Sequence, residues 1–231
     1  LYIIEHAGDR LLFVDTTFVP IIEKLIPKLP KNLVIIVMAS SDDSSTLSDN
    51  FLNYEQLILE SSHDIIWPEL PENTAAGLCY TSGTTGNPKG ALYSHRSTVL
   101  HALTTSLNLG PSLGDGMKVL PVVPLFHVNA WGLPYAAPLT GASLIFPGPN
   151  LDGGSLFNLM DQENVNSAWG VPTVWLGLLE EIRKQERVPS QFQNVVIGGS
   201  AAPKSMIEEF ESLGITVCHA WGMTEMSPVG T

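Results

Sequence analysis

Alternating strand-length and helix-length apolar runs predict an α/β protein built of repeated βαβ units, its parallel or mixed sheets flanked by helices. Runs such as Leu-Val-Ile-Ile-Val-Met at 33–38 and Val-Val-Ile at 195–197 are apolar throughout, as strands covered on both faces are. Longer segments of helical spacing separate these runs. At 44% hydrophobic, 231 residues can bury a substantial core as one large domain or two small ones.

Taken in order, 11–14 reads as a strand, 19–29 as a helix interrupted by Pro27, and 33–38 as a buried strand, which makes a first βαβ unit. The run 39–53 is dense in Ser, Asp and Asn and is expected to be an exposed loop, with a short helix at 54–60 after it. Residues 75–80 form a strand that delivers a loop, 90–93 form another, and Ser94 is placed to N-cap a helix through 107. Strands follow at 118–123, 142–146, 167–169, 195–197 and 216–219, separated by helices at about 129–139, 154–163, 173–186 and 203–213. In open sheets of this class ligands gather at the carboxyl ends of strands. The strands ending near 80, 123, 197 and 219 should therefore present their following loops at one common edge.

Charge and cysteine content narrow the function classes. Eleven Lys plus Arg against 23 Asp plus Glu give a net charge of −12. Non-specific binding to nucleic acid or to anionic membranes needs a basic surface, so neither is expected. No apolar stretch approaches the ~20 residues of a membrane-spanning helix and no signal peptide is visible, which makes a cytoplasmic location the default. The chain begins with Leu1 rather than Met. Cys79 and Cys218 fit no disulfide or metal-ligand pattern and read as buried thiols.

Chemistry is concentrated in Tyr-Thr-Ser-Gly-Thr-Thr-Gly-Asn-Pro-Lys-Gly at 80–90. Gly83 and Gly86 permit positive φ and close approach of backbone N–H groups to an anion, while Thr81, Ser82, Thr84 and Thr85 add hydroxyl donors. A polyphosphate is the natural ligand, with Lys89 and Arg96 as local positive charge in an acidic chain. It is not a Walker A loop, because Lys89 is preceded by Pro88 and followed by Gly90.

This loop resembles the signature of the AMP-forming acid:thiol ligases, the adenylate-forming superfamily of acyl-CoA synthetases, luciferases and peptide-synthetase adenylation domains. Further motifs follow in the family's order: Pro-Leu-Phe-His-Val-Asn-Ala-Trp at 124–131, Val-Ile-Gly-Gly-Ser-Ala-Ala-Pro at 196–203, and Ala-Trp-Gly-Met-Thr-Glu at 220–225. The likeness covers essentially the whole chain and is nearest to medium- and long-chain fatty-acid and methylthioalkanoate CoA ligases.

The resemblance implies ATP, Mg2+ and CoA as cofactor and co-substrates, with a fatty acid or related carboxylic acid as the activated substrate. By it, Thr81, Ser82, Gly83, Thr84, Thr85, Gly86 and Lys89 hold the β- and γ-phosphates, Thr224 contacts the α-phosphate, and Glu225, with Thr81, serves the metal. Gly198, Gly199 and Ser200, with His219, Ala220 and Trp221, form the adenine side, where Trp221 replaces a tyrosine found in many relatives. His127 lies near the reacting carboxylate, and Val128, Trp131 and Gly199 belong to the acyl side. On the residues alone, His127 reads more readily as a hydrogen-bonded core histidine than as a catalytic one, and Trp131 equally as plain core. The family places a ribose-binding aspartate, a hinge and a mobile C-terminal domain with a catalytic lysine beyond Glu225. The chain is therefore expected to be the central part, 1–231, of a larger adenylation domain, and inactive alone. Two alternatives stand beside this one: an adenylating enzyme with a methylthioalkanoate substrate or carrier-protein acceptor, and a non-catalytic nucleotide-binding module. A homodimer is a further partner to test.

Overall fold

The computed structural model describes residues 1–40, 48, 50–82, 86–108 and 113–230. Gly83, Thr84 and Thr85, and most of the expected loop at 39–53, lie outside the described residues. The chain divides into two compact units, Leu1–Glu69 with Thr85–Pro88, and Leu70–Thr84 with Lys89–Thr231.

In the first unit, α1 (Tyr2–Ala7) precedes β1 (Leu11–Asp15), α2 (Val19–Leu25), β2 (Val34–Met38), β3 (Phe51–Asn53) and α3 (Tyr54–Glu60). The three strands pair in parallel in the order β1-β2-β3. Val14, Ile35, Val37 and Phe51 form its small core, on which Val19, Ile22 and Ile26 pack. The expected βαβ unit is present, and Pro27 falls in a 3-10 turn, Ile26–Lys28, that ends the helical segment. The loop expectation at 39–53 is corrected at its end. Residues 51–53 form a strand, because Phe51 and Asn53 are buried against β2 and Asn53 N-caps α3 by accepting from the Gln56 amide at 3.0 Å. Helix α1 was not foreseen.

The second unit opens with β4 (Ala75–Thr81) and β5 (Lys89–Ser94), an antiparallel pair. There follow α4 (His95–Asn108), β6 (Lys118–Pro121), α5 (Val128–Trp131), α6 (Leu133–Thr140), β7 (Ser143–Leu144), α7 (Gly153–Glu163), β8 (Ser167–Gly170), α8 (Pro172–Gln185), β9 (Asn194–Ile197), α9 (Lys204–Ser212) and β10 (Thr216–His219). Strands β6 to β10 form one all-parallel sheet in the order β10-β9-β8-β6-β7. Its two faces are separately covered. Val195 and Ile197 join Leu156, Phe157, Leu178, Leu179, Met206 and Phe210, from α7, α8 and α9, while Val196 between them joins Ala102, Leu133 and Ala136, from α4 and α6. That alternation explains the uninterrupted apolar runs of the sequence: each neighbouring pair of residues serves opposite, equally dry faces. Each large side chain so buried contributes roughly 1.5–3 kcal/mol.

Four expectations change here. The strand at 75–80 is not in the parallel sheet, because 82–88 is too short for a parallel crossover, which takes a dozen or more residues. The single helix expected at 129–139 is two elements, parted at Gly132. The strand expected at 142–146 narrows to Ser143–Leu144, with Ile145 still donating to Val119 at 2.9 Å. The cysteines are half-buried rather than buried. Ser94 does N-cap α4, its Oγ accepting from the Ser97 amide at 3.0 Å. Among the described residues no helix is long and apolar enough to cross a membrane.

Candidate functional site

The carboxyl ends of β6, β8, β9 and β10 open onto one side of the parallel sheet. Past the strand ends the register persists: Gly198 donates to Gly170 at 3.2 Å and Ala220 to Ile197 at 2.8 Å. A cavity of about 260 Å3 lies there. Its lining brings together His127, Val128, Trp131, Gly198, Gly199, Ala220, Trp221, Thr224 and Glu225, nine residues singled out from the sequence.

The segment expected on the acyl side follows β6. His127 is exposed, its amide donating to Pro124 at 3.0 Å. The chain then makes one turn of left-handed helix, with φ of 52°, 51°, 45° and 57° at Val128, Asn129, Ala130 and Trp131. Such conformations cost an L-residue roughly 1–2 kcal/mol each. Burial of Val128, Ala130 and Trp131 offsets that cost and sets the Trp131 indole over the Gly198 backbone. A Cβ on Gly198 would stand 2.9 Å from the Trp131 ring and 3.1 Å from the Ala220 carbonyl oxygen, so the site requires glycine. Trp131 is thus both core and cavity wall.

Residues 221–230 make a small hairpin. Gly222 and Val229 pair across it, Gly230 donates to Trp221 at 2.9 Å and Met223 to Pro228 at 3.0 Å. At its tip a 3-10 turn, Thr224–Met226, presents Thr224 and the exposed Glu225 carboxylate to the cavity. The tip also packs against β4.

Two residues passed over in the sequence hold this hairpin. Tyr93, buried on β5, donates its hydroxyl to the Thr224 carbonyl oxygen. Burial, with the Cys79 thiol and the Glu225 carboxylate as further causes, pushes the Tyr93 phenol up, so it stays protonated. His101 of α4 accepts the Val229 amide at Nε2, at 3.1 Å, and its ring nitrogens lie 3.3–3.4 Å from the Thr105 hydroxyl. Burial pushes the His101 imidazole down, keeping it neutral as an acceptor must be. The ring occupies the place a Cβ on Gly132 would take, 2.6 Å from it.

Other expected residues stand apart from the cavity. Thr81 and Lys89 pair at the loop end of the β4–β5 hairpin, where the Thr81 hydroxyl donates to the Lys89 carbonyl at 3.4 Å. Ser82 and Lys89 are exposed beside them, and Gly86 has the positive φ anticipated, 93°. Ser200 is exposed and does not line the cavity. His219 accepts the Ala202 amide at Nε2, at 3.3 Å, an arrangement that shapes the 198–202 turn. Arg96 is not available as loose positive charge: it pairs with Glu72 at 2.8 and 2.9 Å on the surface.

A model of the AMP-binding enzyme family matches residues 1–231. The chain is 50% identical to a medium-chain-fatty-acid–CoA ligase of Ectopseudomonas oleovorans, over 100% of this chain and 42% of that protein. It is 46% identical to a 3-methylmercaptopropionyl-CoA ligase of Ruegeria pomeroyi, over 100% of this chain and 43% of that one. Among solved structures, an anthranilate CoA ligase in complex with anthranoyl-AMP superimposes with a TM-score of 0.88 at 22% identity, over 99% of this chain and 43% of that one, a likeness of fold. The chain thus spans less than half the length of the relatives it matches.

Proposed function

The chain belongs to the AMP-binding enzyme family, and from that premise we propose that it serves the ATP-dependent activation of a medium- to long-chain fatty acid, as the central part of a longer ligase that transfers the acyl group to CoA. The observation that carries this reading is the convergence of a glycine floor, two indole rings and the Thr224 and Glu225 pair on one cavity. Gly199 exposes backbone against which a flat base or an apolar chain can lie, and Trp131, seated on Gly198, and Trp221 offer apolar faces beside it. The names of the relatives, a medium-chain-fatty-acid ligase and a 3-methylmercaptopropionyl ligase, support an unbranched aliphatic acid.

In the first half-reaction a carboxylate oxygen attacks the α-phosphorus of ATP, forming an acyl-adenylate as the bond to pyrophosphate breaks. In the second, the CoA sulfur attacks the acyl carbonyl and AMP departs with the bonding electron pair. Neither step needs a nucleophile from the protein, so positioning and charge stabilisation decide the rate. Thr224 would donate to the α-phosphate, His127 would face the reacting carboxylate, and Val128 with Trp131 would line the acyl path. Thr81, Ser82 and Lys89, with Gly83, Thr84, Thr85 and Gly86 between them, would hold the distal phosphates.

Magnesium fits this donor set, since that ion is usually held by one or two carboxylates together with substrate phosphates, and Glu225 is an exposed carboxylate on the cavity rim. Glu225, and Thr81 through its hydroxyl, would hold the ion, which supplies positive charge to the phosphates.

The test is exchange of labelled pyrophosphate into ATP by the full-length protein carrying this chain. Exchange should need both Mg2+ and a fatty acid, with medium to long unbranched acids, or a methylthio analogue, preferred over aromatic ones. Glu225→Ala should lower it by about a hundredfold or more, as loss of one charge-stabilising group does, with little change in Tm. Exchange indifferent to the acid would remove adenylation; an equal collapse of stability would make Glu225 a structural residue.

A further inference from the structure

The underside of the 221–230 hairpin is held by two side chains that the proposed chemistry does not use. Glu225 and Thr224 sit on a stem of ten residues whose internal backbone bonds are few: Gly230 to Trp221 and Met223 to Pro228, which together make the Gly222 and Val229 bridge, and Met226 to Met223 in the tip. Two side chains from the continuous segment β5–α4 reach it from below. Tyr93 donates to the Thr224 carbonyl, immediately before Glu225, and His101 accepts the Val229 amide on the stem. The two bonds therefore grip opposite strands of the hairpin, one at its tip and one near its base.

The same ring has a second neighbour. His101 packs against the α-carbon face of Gly132, the residue that closes the left-handed turn carrying Val128 and Trp131. Tyr93, His101, Val128, Gly132 and Ser227 border a shared void of about 10 Å3, so turn, clasp and hairpin meet around a space of about one water molecule. A shift of the imidazole would move the acyl-side turn and the metal-side hairpin together.

We propose that Tyr93 and His101 are positioning residues, a two-point clasp that fixes the Thr224 and Glu225 hairpin against the acyl-side turn and thereby sets the phosphate end of the nucleotide relative to the carboxylate that attacks it. This rests on the function proposed above. Its logic is directional. Tyr93 can only donate to a carbonyl and His101 must accept from an amide, so each contact has one workable chemistry. An apolar replacement leaves a half-buried backbone group of the hairpin without its partner, whereas a side chain with the right donor or acceptor restores it.

The experiment uses the full-length protein and four forms: wild type, Tyr93→Phe, His101→Leu and His101→Gln, whose amide oxygen can accept. Two readouts are needed. Kinetically, Tyr93→Phe and His101→Leu should each raise KM for ATP roughly tenfold, the effect of about one hydrogen bond, while KM for the acid changes less than about twofold; His101→Gln should recover most of the loss. Independently of activity, exchange of the Val229 amide with deuterium should be faster by roughly tenfold or more in His101→Leu and near wild type in His101→Gln. Equal behaviour of the Leu and Gln variants, or a matched rise in both KM values, would reduce the clasp to ordinary packing. A wild-type protein with no acid-dependent exchange of pyrophosphate would remove the proposed function, yet the Val229 measurement would still decide whether the clasp holds the hairpin.

Discussion

Gly198 shows how one missing side chain can shape a site. Its α-carbon faces the edge of the Trp131 indole, and an added methyl would need space that the ring and the Ala220 carbonyl already occupy. The carbonyl belongs to a backbone tied to β9 at 2.8 Å, so the ring is the part that must yield. Gly198→Ala is therefore expected to cost about 1–3 kcal/mol of stability, as overpacking does, and to lower kcat/KM for the fatty acid by displacing the indole into the cavity. Trp131→Phe alone should change the preference among acids of increasing chain length, since each buried methylene is worth ~0.8 kcal/mol. Combined with Gly198→Ala, it should return part of the lost stability, because phenylalanine vacates the contested space. Denaturant unfolding of the two single variants and the double variant measures this coupling. Strict additivity would show that ring and methyl never meet.

Among the elements, the turn Val128–Trp131 departs furthest from the sequence expectation. Residues 129–139 carry apolar spacing that suits an ordinary helix, and nothing in Val-Asn-Ala-Trp except the asparagine and the following glycine signals reversed handedness. The two alternatives predict opposite mutational orders at the half-buried Asn129. In a right-handed helix Ala would stabilise and Gly would cost up to about 1 kcal/mol relative to it. In the left-handed turn Asn129→Gly should be neutral or stabilising and Asn129→Ala destabilising by about 1 kcal/mol, which a pair of thermal unfolding curves distinguishes. The rest of the fold was unevenly legible for comparable reasons. Val195, Val196 and Ile197 announced a buried strand because both faces of the sheet are dry. The antiparallel pairing of β4 with β5 could have been read from the short segment 82–88, a clue about connection length rather than composition. Motif residues that line the cavity were found because local patterns carry them. Tyr93 and His101 were not, because their partners lie 131 and 128 residues away and only the folded topology brings them near.

At the scale of the whole molecule, an acidic chain of net charge −12 sets some of its few cations where they link neighbouring helices on the surface of the second unit. Arg183 bridges α8 to Glu209 on α9 at 2.6 and 2.7 Å, and Arg187 bridges the end of α8 to Asp161 on α7 at 2.8 and 3.1 Å while stacking on Phe157. Hydrogen bonds from Arg187 and the Ser190 amide hold Asp161 at about 2, below its ordinary 3.8. This contribution is present above 3.8 and is lost only as pH falls through about 2, so it leaves the mildly acidic range untouched. His101 acts in that range instead. Its folded-state value lies below the ordinary 6.5 because the ring is buried, so the unfolded chain binds the proton more readily than the native one. Stability from the neutral ring is complete above 6.5 and declines as pH falls from there towards the depressed native value. Wild type should therefore lose Tm more steeply than His101→Gln between about pH 7.5 and 5, each kcal/mol of the difference showing as roughly 2–4 °C in a domain of this size. The comparison cancels the other histidines, which both proteins share. Parallel Tm curves across that interval would mean that protonated His101 is accommodated in the native state, and that the Val229 amide does not depend on a neutral imidazole.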